Sequence, residues 1–180
     1  MRILVIGCSG AGKTTLGRKL ACELDIPHYS LDRYFWQPGW VESDEAEFDA
    51  KVAELIQGTD WVMDGNYSRT LPLRLERAGT VVWLDPSRMT CLWRALWRFV
   101  THIGRVREDM GPGCPEQMSL SFIQWIWNFR QTHFDKQHRL LAGWLGRDPE
   151  PGWTEGQNGR RLWWGSRWPR NGCAELKKRG

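Results

Sequence analysis

Apolar residues follow two different spacings in the first part of the chain, and the two spacings alternate. Short apolar runs bounded by Gly, Pro or Asp are typical of strands buried on both faces of a parallel sheet. Such runs occupy residues 3–6, 61–63 and 80–84, and residues 28–31 form a further short strand candidate after the breaker Pro27. The pattern therefore predicts four sheet strands.

Segments with helical periodicity lie between and after these strands. Residues 16–24 place leucines one helical turn apart, and Asp44 with Glu47 forms a capping box ahead of another helix. Longer helices are predicted at 87–106 and 119–145. Because strands that alternate with helices favour right-handed βαβ units, we predict an α/β fold with a central parallel sheet covered on both faces.

The composition changes near Gly146 and divides the chain into two parts. Residues 1–146 hold 17 basic and 17 acidic side chains, whereas residues 147–180 hold 8 Lys or Arg and 4 Asp or Glu. Gly, Pro, Trp and Arg dominate the second part, and its apolar residues fit neither period. We therefore predict one α/β domain over residues 1–146 and an irregular basic Trp/Gly-rich tail over 147–180, in which only residues 161–164 suit a short edge strand.

Composition also narrows the class of protein. A chain of 180 residues suffices for one well-packed α/β domain. The five cysteines are scattered and form no C-x-x-C pair, so neither a disulfide framework nor a zinc site is indicated. No apolar stretch reaches the roughly 20 residues of a membrane span, and none has the form of a signal peptide. We therefore expect a cytoplasmic protein without a membrane partner.

The segment between the first strand and the first helix carries the strongest chemical signal. It matches the phosphate-binding pattern G-x-x-x-x-G-K-[ST] without deviation. Its glycines allow backbone N–H groups to turn toward phosphate oxygens, and the next helix directs its positive N-terminal end at the same anion. We expect ATP and Mg²⁺ here. The residues expected to bind the nucleotide are Gly7, Ser9, Gly10, Ala11, Gly12, Lys13, Thr14 and Thr15. Catalytically, Lys13 would reach the β and γ phosphates, and the Thr14 hydroxyl would ligate Mg²⁺.

Two carboxylates follow strand ends, where the ligand crevice of an open α/β sheet lies. Asp64 ends the third strand and is expected to hold Mg²⁺ directly or through water; a simple turn role before Gly65 is the alternative. Asp32 leaves the second strand and would both bind the acceptor and take up its hydroxyl proton. An ordinary solvated loop aspartate is the alternative for Asp32.

Arginines in two segments suit anionic groups. Arg69 would bind an acceptor phosphate or carboxylate with its planar guanidinium, or else lie on the surface. A Gly/Pro-rich break follows the long helix, and we expect a lid around residues 98–118 that screens the transferring phosphoryl group and excludes water. The catalytic arginines of this lid are Arg98, Arg105 and Arg107. For Arg94 we favour a solvent-facing role on the helix.

Together these motifs resemble those of the bacterial DNA topology modulation proteins, a P-loop family related to adenylate kinase and shikimate kinase. The likeness covers roughly residues 1–140; beyond the P-loop it includes the segments 28–32, 36–40, 61–67, 82–85, 113–116 and 125–127. The resemblance implies a three-layer P-loop nucleoside-monophosphate-kinase-like fold, with five parallel strands and the P-loop strand at the centre. It also implies Asp64 near Mg²⁺ and Arg69 near the acceptor. Residues 146–180 depart from the aliphatic and basic last strand of such relatives.

Two functions from different classes follow. The first is a kinase that transfers the γ-phosphoryl group of ATP to a small-molecule acceptor such as a nucleoside monophosphate. The second is a nucleotide-sensing regulator that contacts DNA through the basic tail, whose tryptophans would stack on bases. A GTPase switch is disfavoured because the sequence has no N-K-x-D motif. The oligomeric state does not follow from the sequence.

Overall fold

The structure, a computed structural model, describes residues 1–107 and 109–179. Glu108 of the expected lid and Gly180 of the expected tail lie outside the described residues. The first elements are β1 (Arg2–Gly7), α1 (Lys13–Leu24), β2 (His28–Ser30), α2 (Asp32–Phe35), β3 (Trp36–Gln37), β4 (Val41–Glu42), α3 (Glu45–Leu55) and β5 (Trp61–Asp64). The later elements are α4 (Leu71–Arg77), β6 (Thr80–Leu84), α5 (Arg88–His102), α6 (Leu120–Leu145), β7 (Gly152–Glu155), β8 (Arg161–Gly165) and α7 (Gly172–Arg179).

Six strands form one sheet in the order β2-β5-β1-β6-β8-β7. The first five run parallel, and β7 pairs antiparallel with β8 at one edge. Strand β1 lies between β5 and β6, so the loop that follows it lies at the carboxyl edge of the sheet, between the connections that lead to strands on either side. Ligands of open α/β sheets bind at this kind of position. The predicted α/β fold with a central parallel sheet is confirmed.

The two faces of the sheet build two separate apolar cores, which gives the fold three layers. Along β1, Ile3 and Val5 pack into one core, while Leu4 and Ile6 pack into the other. All four side chains are buried, as expected for a continuous apolar run in a parallel sheet. The helices that cover the first core include α1 and α5, and those that cover the second include α3 and α4.

Polar side chains cap the N-termini of three predicted helices, α3, α5 and α6. The Asp44 carboxylate accepts hydrogen bonds from the backbone N–H groups of Ala46 at 2.8 Å and Glu47 at 3.1 Å. Helix α5 ends at His102, earlier than predicted, because Gly104 adopts a left-handed backbone with φ of 70° and turns the chain away. In the described part of the chain, no helix combines the length and apolar character needed to cross a bilayer.

The prediction of an irregular tail over residues 147–180 is wrong. Its described residues form β7, β8 and α7, and β8 pairs in parallel with β6 to supply the fifth parallel strand. Strand β8 is not the edge strand proposed for residues 161–164, because β7 covers its outer side. Leu162 and Trp163 point into opposite cores and are both buried. A strand buried on both faces does not alternate, and so the strand period is absent from the sequence.

Candidate active site

The P-loop leaves β1 at Gly7 and enters α1 at Lys13. Gly10 and Gly12 have positive φ angles of 77° and 94°, which let the backbone curl back on itself. Helix α1 begins without a side-chain cap and without an acidic residue in its first turn. Its first N–H groups and its dipole therefore remain available to an anion. The Lys13 ammonium donates to the Cys8 carbonyl at 3.0 Å, which holds it over the loop.

Contacts from other elements brace the P-loop. The Gly7 N–H donates to Asn66 Oδ1 at 3.0 Å, and Asn66 Nδ2 donates to the Gly7 carbonyl at 2.6 Å. Arg94 Nη1 donates to the Ala11 carbonyl at 3.3 Å. An ideal Cβ on Gly10 would lie 2.2 Å from the Cys91 carbonyl oxygen, so α5 touches the loop backbone directly. The loop is thus held from β5 on one side and from α5 on the other.

Thr14 and Asp64 come together at one end of the loop. Thr14 Oγ1 donates to Asp64 Oδ1 at 3.1 Å, and the Asp64 side chain is only 1% exposed. His28 Nε2 lies 2.7 Å from Asp64 Oδ2 and donates to it, since a carboxylate can only accept. A hydroxyl beside a carboxylate is an oxygen donor pair that suits Mg²⁺, which takes few protein ligands and keeps waters and phosphate oxygens. These residues therefore fit the expected ion.

The described residues contain no cluster of three or more His, Cys, Asp or Glu side chains that could hold a metal by themselves. Among the groups around Asp64, the sequence did not single out His28. The contact between His28 and Asp64 depends on the parallel pairing of β2 with β5. This pairing sets Ser30 opposite Asp64, and His28 lies two residues before Ser30 on the same strand.

Asp32 begins α2 and lies beside the loop. Its carboxylate accepts a hydrogen bond from the Tyr67 hydroxyl at 2.7 Å. Burial raises the pKa of Asp32 above its ordinary value, and the nearby Lys13 and the Tyr67 hydrogen bond oppose that rise. A carboxylate with a raised pKa is a stronger proton acceptor than an ordinary aspartate. Asp32 is thus suited to take a proton from an attacking hydroxyl group.

Arg74, which the sequence did not single out, supports the segment that follows β5. Its side chain is fully buried, and its guanidinium donates to the carbonyls of Gly65 at 2.9 Å, Asn66 at 3.2 Å and Tyr67 at 3.0 Å. Burial lowers the pKa of Arg74. Because Asn66 braces the P-loop and Tyr67 bonds to Asp32, this single cation positions two contacts of the site.

Carboxylates of the lid segment form ion pairs with two of its arginines. Glu116 is buried and accepts from Arg98 Nε at 2.9 Å and from Arg107 Nε at 2.6 Å. Arg107 also donates to Asp109 at 2.5 Å. The β3–β4 hairpin holds this segment, for example through the Trp40 indole N–H, which donates to the Pro115 carbonyl at 2.9 Å.

One cavity joins most of these groups, with a volume of about 880 Å³. Its wall contains the P-loop from Ser9 to Thr15, the carboxylate of Asp32 and the arginines Arg94, Arg98 and Arg107. Residues 166–170, which follow β8, form a further part of the wall. Those residues belong to the segment that was expected to be irregular, so the sequence had no means of placing them here.

Solved structures with the same fold are shikimate kinases. The shikimate kinase from Acinetobacter baumannii in complex with shikimate aligns with 98% of this chain and 90% of its own, at 18% identity and a TM-score of 0.56. That from Aquifex aeolicus aligns with 99% of this chain and 95% of its own, at 17% identity and a TM-score of 0.50. Neither a protein family model nor a curated protein matches the sequence. The fold is that of P-loop kinases.

Two sequence-predicted arginines lie outside the cavity of this kinase-like fold. Arg69 forms an ion pair with Glu45 and a second with Asp49 at 3.1 Å, so two carboxylates of α3 occupy its guanidinium. Arg105 is exposed and does not line the cavity wall. The structure brings neither of them to the P-loop, and their roles toward an acceptor or a phosphoryl group stay predictions.

Arg94 has the opposite outcome, because it was expected to face solvent and instead contacts the P-loop. The α5 backbone at Cys91 contacts the loop at Gly10, and the buried residues of α5 are Cys91 and Ala95, whereas Leu96 is exposed. Small side chains let the helix approach the loop backbone closely. The solvent-facing role expected for Arg94 is therefore wrong, and Arg94 joins Arg98 at the cavity.

Proposed function

We propose that this chain is a magnesium-dependent kinase that transfers the γ-phosphoryl group of ATP to a hydroxyl group of a small molecule. The observation that carries the proposal is that the P-loop, Asp32 and the arginines of α5 line one cavity, with Asp64 hydrogen-bonded to the lining residue Thr14. An enzyme that only hydrolyses ATP would need the P-loop and the Thr14–Asp64 pair but neither Asp32 nor the arginines. A carboxylate with a raised pKa beside the phosphate loop suits an enzyme that also deprotonates an acceptor.

Each residue has a distinct role in this proposal. The P-loop amides and Lys13 bind the phosphates, while Thr14 and Asp64 would hold Mg²⁺. When bound, Mg²⁺ neutralises charge on the phosphate oxygens. Asp32 takes the proton as the acceptor oxygen bonds to the γ-phosphorus and the bond from that phosphorus to ADP breaks. Arg94 and Arg98 face the same space and stabilise the negative charge that spreads over the transferring group.

The acceptor is proposed by class as a small polar molecule with a free hydroxyl, such as a sugar acid or shikimate. A nucleoside monophosphate would accept on a phosphate oxygen, and that transfer has no hydroxyl proton for Asp32 to take. Asp32 marks the acceptor side of the cavity, and Tyr67 fixes its carboxylate. Arg69 lies outside the cavity and is paired there with Glu45 and Asp49, so its placement does not support a phosphate-binding role. The proposal therefore does not rely on a charged group in the acceptor.

Of the two features behind the DNA-associated alternative, the basic tail and its tryptophans, the packing of the tryptophans weighs against the second. Trp153, Trp163 and Trp168 pack against one core and Trp164 against the other, so these rings form part of the folded sheet layer. Trp164 also stacks on Trp83 with ring centroids 4.8 Å apart. Base stacking would need such rings to be free. We therefore propose the kinase rather than the regulator.

The test is a transfer assay with labelled ATP and Mg²⁺ against nucleoside monophosphates, shikimate and sugar acids. We expect label on at least one acceptor, and we expect Lys13→Ala to reduce that transfer by at least about a thousandfold, because a cation at the transferring group is lost. Lys51→Ala, which removes an exposed lysine of α3 paired with Glu54, is the matched control and should retain full activity. An unchanged rate in the Lys13 variant would refute the assignment.

A further inference from the structure

Helix α5 presents a second face to solvent that is apolar rather than charged. Met89, Trp93, Leu96 and Val100 recur at spacings of four, three and four residues and so share one side of the helix. Trp97 lies beside them, with its ring 6.5 Å from that of Trp93. The two tryptophans are 65% and 61% exposed. We call these five residues the α5 face.

Helix α6 extends this surface. Trp127 of α6 is exposed, and the Arg88 guanidinium at the start of α5 lies 4.8 Å from its ring centroid. Together the α5 face and Trp127 expose roughly 700 Å² of largely apolar side-chain surface. The largest apolar patch of a typical monomer measures about 300–600 Å², and each partner of a standard protein interface contributes about 800 Å². The exposed apolar area is therefore larger than the usual patch of a monomer and close to the area that one partner contributes to an interface.

We propose that a second copy of this chain covers the α5 face in an isologous dimer. In such a dimer the same patch meets itself around a twofold axis, so any charge on the patch would meet its own copy. The α5 face contains no charged residue, and α5 contains no Asp or Glu at all. The patch is therefore compatible with itself, and its two tryptophans are of the residue type that dominates interface energetics.

The positions of the α5 arginines favour a protein partner over a lipid surface. An interfacial membrane helix places Lys and Arg along its polar face, where they meet lipid headgroups. In α5, Arg94 is exposed but its guanidinium donates to the Ala11 carbonyl of the P-loop, and Arg98 is paired with Glu116, so protein groups engage both guanidiniums. Only Arg88 of this helix lies near the patch, and it stacks on Trp127. The surface therefore lacks the cationic rim that anionic lipids require.

The dimer would also affect the cavity, since α5 carries the proposed contact on one side and Arg94 and Arg98 on the other. Pairing two α5 helices fixes the position of each helix relative to its own P-loop. The proposal itself does not depend on the kinase function, because it rests on the exposed surface alone.

Sedimentation velocity of the full chain at increasing concentration tests the proposal. Wild type should sediment as a dimer at micromolar concentration, and Trp93→Glu and Trp97→Glu should each weaken association by about thirtyfold or more, the loss expected for an interface hot spot. The control is Val41→Glu, which places the same charge on the β4 hairpin at a residue that is 60% exposed, and should leave the dimer intact. A wild type that stays monomeric at all concentrations overturns the proposal, as do glutamate variants that still form the dimer.

A second measurement needs no variant. Hydrogen exchange of the wild-type chain should slow in residues 88–103 and around Trp127 as the concentration rises, while the β3–β4 hairpin exchanges at a constant rate. Slowing elsewhere with no change in α5 would refute this interface. Co-sedimentation of a monomeric chain with vesicles of anionic phospholipid, lost in Trp93→Glu, would assign the face to a membrane and reject the dimer.

Discussion

Removal of the Arg74 side chain should destabilise the protein more than any other arginine substitution in helix α4. Arg74 is fully buried, and its guanidinium donates to the carbonyls of Gly65, Asn66 and Tyr67. Arg74→Ala leaves these three acceptors without their donor inside the protein and opens a cavity. The carbonyls belong to the turn after β5, so the loss also loosens the segment that braces the P-loop.

The magnitude follows from the three lost bonds. A hydrogen bond to a charged group contributes about 1.5–3 kcal/mol, but the three bonds share one cation, whose burial itself costs free energy. Breaking a buried charged network by removing one partner typically costs about 3–5 kcal/mol, and we expect Arg74→Ala within that range. For a chain of this size each kcal/mol lowers Tm by about 2–4 °C, so a decrease of roughly 10 °C is expected.

Urea denaturation followed by far-UV circular dichroism measures the change. Arg77→Ala is the matched control, because Arg77 lies on the same helix and makes a single hydrogen bond, from Nε to the Ile56 carbonyl at 3.4 Å. It should cost no more than about 1 kcal/mol. Equal free energies of unfolding for the two variants, or a loss below about 1 kcal/mol for Arg74→Ala, would refute the argument that one buried cation organises this turn.

Two further predictions concern the site itself. Asp32→Asn should spare ATP binding but abolish most transfer, and in wild type the rate should fall on acidification at a pH above the ordinary aspartate pKa, because burial raises the pKa of Asp32 and protonation removes the base. Because the folded state binds the Asp32 proton more tightly than the unfolded state does, ionisation of Asp32 lowers the stability of the protein as pH rises. The Asn variant should therefore be at least as stable as wild type at neutral pH. A clear loss of stability would show that Asp32 supports the fold rather than the reaction. Gly10→Ala should abolish nucleotide binding, measured by calorimetry, because its Cβ would lie 2.2 Å from the Cys91 carbonyl oxygen. The control is Gly104→Ala, because Gly104 has a similar φ of 70° but no atom lies within 4 Å of a Cβ added there. This variant should cost only about 1–2 kcal/mol of backbone strain and should still bind the nucleotide. Nucleotide binding by both variants would contradict the proposed close contact at Gly10.

The parts of the fold that could be predicted are those where local and long-range requirements agree. Strand β1 is a continuous apolar run followed at once by the phosphate motif, and both signals place it at the centre of a parallel sheet. The Asp44 cap is a local contact, and it forms as predicted. The Thr14–Asp64 contact joins the first turn of α1 to the carboxyl end of β5, and that pairing could be anticipated because the ligand crevice lies at the carboxyl ends of the strands.

The contacts that could not be predicted have no local sequence pattern, and those of Asn66 and of strand β8 also join segments far apart in the chain. Asn66 braces Gly7 and Arg74 caps three carbonyls, but an Asn or Arg in these segments has no local pattern that distinguishes it from a surface residue. Strand β8 is a similar case. Its residues Leu162 and Trp163 become core residues only because β6 and the flanking cores receive them.

The orientation of α5 shows most clearly what a periodic pattern omits. An amphipathic pattern separates two sides of a helix but does not say which side faces the protein, and the usual assumption assigns the larger apolar side to the core. Here the backbone of α5 at Cys91 lies directly against the P-loop at Gly10, and the buried residues of this helix are the small Cys91 and Ala95. Close approach therefore favours the small side chains inside and brings Arg94 to the loop carbonyl. The large apolar residues are left outside, and the same steric requirement that positions an arginine at the phosphate site also creates the exposed α5 face.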